Sequence, residues 1–91
     1  MLDIVYHTSF KKDLKKIKKR NLDTTKMDRA ILLLRAGYDL PLEYKDHKLV
    51  GNWQGFRECH IAPDWLLVYR IQKEELVLVL CHTGSHSDIF Q

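Results

Sequence analysis

The stretch Gly55–Ile71, GFRECHIAPDWLLVYRI, has the composition of two β-strands joined by a tight turn. Pro63 fixes its own φ and Asp64 can bond to nearby backbone groups, so the segment Ala62–Asp64 suits the turn. Leu66–Ile71 is almost continuously apolar, which is typical of a central strand covered on both faces. We therefore expect a rigid hairpin that organises the fold and carries polar groups at its tip.

Length and composition indicate one folded domain, residues 1–91, with 45% hydrophobic and 30% charged residues and a net charge of +3. Cys59 and Cys81 lie inside predicted strands without metal-type spacing, so we interpret them as reduced core residues. No apolar run reaches the length of a membrane span, and the N-terminus does not resemble a signal peptide. We expect a cytoplasmic protein that does not contact membranes.

The sequence of the first half of the chain predicts a short strand followed by a helical hairpin. Asp3–His7 is rich in β-branched and aromatic residues, which favours a strand. Apolar residues then recur at helical spacing up to Arg20, and a second amphipathic helix begins at Thr25. Gly37 ends that helix. Two helices joined by a short turn need a sheet on which to bury their shared apolar face.

The second half predicts a long ordered loop over Tyr38–Gln54, the hairpin, a further strand over Glu75–Cys81 and a helical turn from Ser85 to Phe90. The predicted order is β-α-α-β-β-β with a short C-terminal helical turn. This order indicates an α+β fold of two layers, with the helical hairpin packed on a mainly antiparallel sheet.

Seven of the fifteen basic residues lie between Lys11 and Arg20. A run of lysines on a helix is most often a solvated surface. It can also be a binding surface for nucleic acid or for an acidic partner. The sequence leaves both interpretations open.

Four histidines, at positions 47, 60, 82 and 86, lie in predicted loops or at strand ends, with Asp64 at the hairpin tip. Cleavage of RNA by its own 2′-hydroxyl needs a base, an acid and positive charge beside the phosphorane, and histidines with Arg57 can supply all three. Trp65 or Phe90 can stack on a base.

Arg57 can equally be a structural ion-pair partner, and the alternation of residues does not decide whether Arg57 or His60 faces the open side. A zinc site ranks below acid–base catalysis because HExxH and CxxC pairs are absent from the sequence.

Four segments of the second half form a more specific pattern: YKDHKLVGNW at 44–53, GFRECH at 55–60, PDWLLVY at 63–69 and TGSHSDIF at 83–90. With this spacing the chain strongly resembles the YafQ branch of the RelE-type toxins. The resemblance implies a bacterial type II toxin with a microbial-ribonuclease-like α+β fold. It also implies a small ribonuclease that cuts messenger RNA in the ribosomal A site and is held inactive by a cognate antitoxin.

The resemblance also implies a set of site residues. His86 is the expected general acid, His60 or Asp64 the expected base, and His47 the group that orients the phosphate. Two aromatic residues, Trp65 and Phe90, are expected to position bases of the substrate. His82 stands where members of the branch often carry an arginine, which weakens the permanent positive charge expected beside the phosphate.

Partners and alternatives follow from the same resemblance. The expected partners are a cognate antitoxin of the ribbon-helix-helix type, the ribosome and messenger RNA, with operator DNA reached only through the antitoxin. We expect neither a cofactor nor a catalytic metal. The alternative is a non-catalytic binding module with the toxin fold, which inhibits another target or only pairs with an antitoxin.

Overall fold

The computed structural model describes residues 1–90, which form a five-stranded sheet and three helices. The strands are β1 (Asp3–Tyr6), β2 (His47–Lys48), β3 (Arg57–Ala62), β4 (Trp65–Gln72) and β5 (Val77–Gly84), and the helices are α1 (Thr8–Lys19), α2 (Thr25–Arg35) and α3 (His86–Phe90). The sheet order is β1-β5-β4-β3-β2, with β1 parallel to β5 and every other pair antiparallel.

The predicted α+β architecture is confirmed, with one addition. The segment expected to be a long loop contains the two-residue strand β2 and two short 3-10 turns, Leu42–Tyr44 and Gly51–Trp53. Strand β5 also extends to Gly84, three residues beyond the predicted end. Within residues 1–90 no helix is both long and apolar enough to span a membrane.

Helices α1 and α2 cover one face of the sheet and form the main core with it. Phe10, Ile17, Met27 and Leu34 are all buried, and they belong to one cluster with side chains of the central strands: Leu67, Tyr69, Leu78 and Leu80. The helical spacing of these apolar residues therefore places them where the sheet needs a cover. We call the other side of the sheet the open face.

The open face has a smaller and thinner apolar layer. Leu66 and Val68 of β4 are fully buried there, together with Cys81 and Ile89. Their cover comes from α3 and from partly buried residues of the loop before β3, such as Trp53. Because both faces of β4 are covered, its sequence is an almost continuous apolar run, as expected from the sequence.

An irregularity in the β4–β5 ladder changes which side chains reach the open face. Val68 pairs with His82, but the next residue, Tyr69, pairs with Leu80. Cys81 is therefore the extra residue of a β-bulge. Cys81 packs in the open-face cluster and the ring of His82 lies 5.7 Å from Trp53. The bulge thus directs two consecutive side chains to the same face, which a regular strand does not do.

Helix α1 closes the outer edge of β5 beyond the end of β1. The hydroxyl of Ser9 donates to the carbonyl of Cys81 at 2.7 Å, and the carboxylate of Asp13 accepts from the amide of Thr83 at 3.1 Å. Asp13 also contacts Nδ1 of His82 at 3.0 Å. Side chains of a helix therefore satisfy backbone groups that would otherwise be exposed at a strand edge.

Helix α3 is fixed at its start by a reciprocal cap. The amide of Asp88 donates to the hydroxyl of Ser85 at 3.1 Å, and the amide of Ser85 donates to the Asp88 carboxylate at 3.2 Å. These hydrogen bonds, aided by Arg20 at 3.4 Å, hold the pKa of Asp88 below its usual value of 3.8. Gly84, with φ of +152°, lets Asp88 approach, since a Cβ on this residue would lie 3.1 Å from the carboxylate.

The lowered pKa of Asp88 predicts an acid-dependent loss of stability. A carboxylate whose pKa is lower in the folded state stabilises the fold fully above the unfolded pKa near 3.8, and this contribution disappears as pH falls through the folded value. We expect Asp88→Ala to lower the free energy of unfolding by about 1 kcal/mol at pH 7, the scale of a helix cap. The difference from wild type should shrink below pH 3.8 in urea titrations. A difference that persists unchanged at low pH would contradict the role of the carboxylate.

Candidate active site

Three histidines from three different elements form a row on the open face. His47 comes from β2, His60 from β3 and His86 from the start of α3. The ring centroids of His47 and His60 are 6.3 Å apart, and those of His60 and His86 are also 6.3 Å apart. The fold therefore brings together the histidines selected from the sequence, although they lie up to 39 positions apart in the chain.

Glu58 lies beneath this row and was not selected from the sequence. Its carboxylate is buried, 3.1 Å from Nε2 of His47 and 4.0 Å from Nε2 of His60. A buried carboxylate needs such partners. Glu58 and His60 are two positions apart in a strand and therefore share a face, which is the sequence signal that could have identified Glu58.

Asp64 pairs with His86 at the tip of the hairpin. Its carboxylate lies 3.4 Å from Nδ1 of His86 and 3.4 Å from the backbone amide of the same residue. Both side chains are exposed, at 74% for Asp64 and 56% for His86. The pair is thus accessible to a large substrate, and the carboxylate can orient the imidazole ring.

Aromatic side chains continue from the end of the histidine row. The ring of Phe90 lies 6.1 Å from that of His86 and 5.2 Å from that of Trp53. Trp53 in turn contacts Phe56 edge-on at 5.4 Å. Phe90 is partly exposed, at 37%, so it can offer its ring to a base. Trp53, in the segment expected to be an ordered loop, was not selected as a residue of this site.

His82 lies at the side of the row and is held by α1. Its Nδ1 is 3.0 Å from the carboxylate of Asp13, and 27% of its side chain is exposed. The contact fixes the orientation of the ring. Members of the family branch often carry an arginine at this position. In this chain the position has an imidazole, which is paired with a carboxylate.

Trp65 lies apart from these residues, in the main core. Only 8% of its surface is exposed, and its indole Nε1 donates to the hydroxyl of Thr83 at 2.8 Å. That hydroxyl donates onward to the carbonyl of Leu66 at 2.9 Å. Every polar atom in this chain of hydrogen bonds has a partner. A ring in this position supports the floor of the site and has no open face for a base to stack on.

Arg57 lies on the opposite face from the histidines. It pairs with Tyr69 across the ladder, and its guanidinium donates to Asp46 at 2.8 and 3.2 Å. The hydroxyl of Tyr69 donates to the other oxygen of the same carboxylate. Hydrogen bonding to Asp46 raises the pKa of Arg57 above its usual value. Of the two roles that the sequence left open, the contacts match the structural ion pair.

The cysteine thiols are not activated for nucleophilic attack. Burial raises the pKa of Cys59 to about 12 and that of Cys81 above its usual value, so both remain protonated and are poor nucleophiles at neutral pH. Among the residues that the structure describes, no group of three His, Cys, Asp or Glu side chains is arranged to hold a metal ion.

Comparison with known proteins agrees with this architecture. A family model described as "Bacterial toxin of type II toxin-antitoxin system, YafQ" matches residues 2–91. The mRNA interferase toxin YafQ of Escherichia coli K12 is 38% identical over 89 residues, covering 97% of this chain and 95% of that protein.

Solved structures give the same answer for the fold. The E. coli DinJ–YafQ complex contains a chain with a TM-score of 0.88 and 37% identity, and the alignment covers 100% of both chains. A metal-bound toxin from Helicobacter pylori has a TM-score of 0.93 and 43% identity, with 99% of this chain and 100% of that chain covered.

The fold and the match over nearly the full length define a toxin of a bacterial type II toxin–antitoxin system. Within that class, the chain belongs to the YafQ family. The resemblance inferred from the sequence is confirmed.

The position of Arg57 predicts that its loss affects stability and leaves the chemistry intact. Arg57→Gln leaves the partly buried Asp46 carboxylate with weaker partners, which costs about 1–3 kcal/mol of unfolding free energy. We expect a lower midpoint in urea but unchanged RNA cleavage per folded molecule at low temperature. Loss of cleavage by a fully folded Arg57→Gln protein would instead show that this residue acts on the substrate.

Proposed function

We propose that this chain is an endoribonuclease that cleaves messenger RNA on the ribosome by acid–base catalysis. The observation that carries the proposal is the row of three imidazoles on the open face, with a carboxylate beside each end. Related YafQ proteins are named mRNA interferases. Because this reaction takes place on translating ribosomes, we expect the chain to act in the cytoplasm.

The proposed reaction begins with His60. Its neutral imidazole removes the proton of the substrate 2′-hydroxyl, and the resulting oxygen attacks the adjacent phosphorus. The bond between phosphorus and the 5′-oxygen then breaks, and the imidazolium of His86 protonates the departing oxygen. The products are a 2′,3′-cyclic phosphate and a 5′-hydroxyl. Each step moves one proton between a ring and an oxygen, as general acid–base catalysis requires.

The spacing of the rings supports this division of roles. With their centroids 6.3 Å apart, the rings of His60 and His86 can both face one phosphodiester that binds above them on the open face. Each ring can then reach one of the two oxygens that exchange protons, which must lie within about 3 Å of the catalytic groups. Separate acid and base groups, one for each oxygen, suit an in-line displacement.

Glu58 and Asp64 act as positioning residues in this scheme. Asp64 contacts Nδ1 of His86, which leaves Nε2 to face the leaving oxygen. Glu58 holds Nε2 of His47 and lies beside His60. A carboxylate next to an imidazole stabilises its protonated form and fixes its orientation, as in other catalytic pairs. This geometry favours His60 over Asp64 as the base, because Asp64 is already engaged with the acid.

His47 is the proposed third member of the site. Its ring lies at the far end of the row, next to His60. Its Nε2 lies 3.1 Å from the Glu58 carboxylate, and as an imidazolium this ring would place positive charge near the phosphorane, where negative charge develops. Phe90, beside His86, offers a partly exposed ring to a neighbouring base.

Helix α1 supplies a charged surface for the ribosome. Six of its lysines are exposed, at positions 11, 12, 15, 16, 18 and 19. Ribosome-bound message is surrounded by phosphates, so these residues are expected to add salt-dependent affinity without taking part in the chemistry. This is the binding role that the sequence allowed for the lysine run.

A cognate antitoxin is the second proposed partner. YafQ of E. coli has been solved in complex with DinJ, and by analogy we propose that this chain pairs with an antitoxin of the ribbon-helix-helix type. Contact with operator DNA would come only through that antitoxin. A non-catalytic binding module remains the alternative, but pure binding does not require an imidazole row flanked by carboxylates.

His86 provides the direct test of the proposed function. We expect His86→Ala to lower cleavage of ribosome-bound message by about 10²–10⁴-fold, because the leaving oxygen loses its proton donor. The neighbouring exposed Ser87→Ala is the matched control, and it should cleave as wild type. Cleavage would be measured by primer extension on a defined message. Equal activity of the two folded variants would reject the acid assignment, and an inactive wild type would favour the binding module.

Metal dependence and pH separate acid–base catalysis from a zinc mechanism. One group must be deprotonated and another protonated, so the cleavage rate should follow a bell-shaped pH profile. The products should end in 2′,3′-cyclic phosphate. Metal-stripped protein, given only the magnesium that ribosomes need, should retain full activity, since no bound water has to be activated. Activity that returns only when zinc is added would contradict this mechanism.

A further inference from the structure

Arg70 is a cation on the open face. It lies outside the segments of the family pattern and has no role in the proposed reaction. It pairs with Val79 in the β4–β5 ladder, and its guanidinium carbon lies 5.5 Å from the centre of the Phe56 ring. Within residues 1–90 no carboxylate forms a salt bridge with it. An arginine that stacks on an aromatic ring without a carboxylate partner keeps its donors free for an anion.

A cavity of about 250 Å³ lies beside this arginine. Its apolar walls include Trp53, Phe56 and Cys81, and its polar rim includes His7, Arg70 and His82. The volume is below the range of about 300–1,000 Å³ usual for drug-sized ligands, so it suits a group as small as a single base. Flat aromatic walls with a cation at the rim match a base joined to a phosphate.

Trp53 lies between the cavity and the end of the histidine row. One side of this ring contacts Phe90, which follows His86, and its other contacts are Phe56 and His82 at the cavity wall. An RNA strand whose phosphate faces His60 and His86 would therefore bring a nearby nucleotide to the cavity.

We propose that this cavity is a nucleotide subsite for the substrate RNA. One base lies in the cavity against the walls that Trp53 and Phe56 form, and Arg70 binds the phosphate attached to that nucleotide. The subsite rests on the proposed ribonuclease function and adds to it a binding site outside the histidine row. Arg70 supplies a permanent positive charge at the phosphate of that nucleotide.

The test uses a probe that does not depend on cleavage. The chain has two tryptophans, Trp53 at the cavity and Trp65 in the core, so their indole N–H signals report separately in ¹H–¹⁵N spectra. We would titrate adenosine and uridine monophosphates, with the unphosphorylated nucleosides and inorganic phosphate as separate arms. A mononucleotide should shift the Trp53 signal at lower concentration than a nucleoside or phosphate alone, and it should leave Trp65 unchanged.

Arg70→Gln should weaken mononucleotide binding by about 10- to 100-fold, the usual effect of losing a charge-assisted hydrogen bond. The matched control is Arg29→Gln, which removes the same charge from an exposed position on α2. In cleavage assays Arg70→Gln should raise KM and leave the shape of the kcat pH profile unchanged. If Trp53 does not respond to mononucleotides, or if the two variants bind them equally, the subsite does not exist.

The outcomes separate this inference from the proposed reaction. Equal nucleotide binding by Arg70→Gln and Arg29→Gln, in a protein that His86→Ala inactivates, would reject the subsite and leave the reaction standing. Weaker binding by Arg70→Gln in a protein that cleaves no RNA would support the subsite as a nucleotide site and reject the reaction.

Discussion

The burial of β4 on both faces is the constraint on which the rest of this structure depends. On one side Leu67 and Tyr69 are buried in the core that helices α1 and α2 form with the sheet. On the other side Leu66 and Val68 are covered only by α3 and a few aromatic residues of the loop. The thin cover leaves polar groups beside it within reach of a large substrate. The candidate active site therefore lies where the fold has its least helical cover.

Polar groups on the two sides of the sheet are used differently. On the helix side, Asp46 accepts from Arg57 and Tyr69 on separate oxygens, and Trp65 and Thr83 satisfy each other. Such networks pair these groups with one another and stabilise the fold. On the open face, Glu58 and Asp64 each contact an imidazole, and the side chains of His47 and His86 remain about half exposed. Structural groups and candidate catalytic groups in this chain therefore differ in how they are paired rather than in residue type.

The fold could be predicted largely from local signals, whereas the site could be predicted only in part. Helical periodicity and turn chemistry are encoded within about ten residues, which is why both hairpins were found. Whether Arg57 or Arg70 reaches the open face depends on strand phase and on a bulge at Cys81, which only pairing with another strand sets. The family pattern grouped Trp65 with the histidines, but its alternation with Leu66 turns the ring into the core.

Helix α1 shows how one element can serve the fold and the site at once. Its inward-facing polar residues Ser9 and Asp13, and Arg20 just beyond its end, all bond to residues between positions 81 and 88. This is the segment that carries His82 and His86. The lysines occupy the exposed surface of the same helix and make none of these contacts. Because the two sets of side chains do not share partners, charge on the outer surface can vary without moving the imidazoles. One helix and the residue after it thus present the proposed binding surface and hold the segment of the candidate site in place.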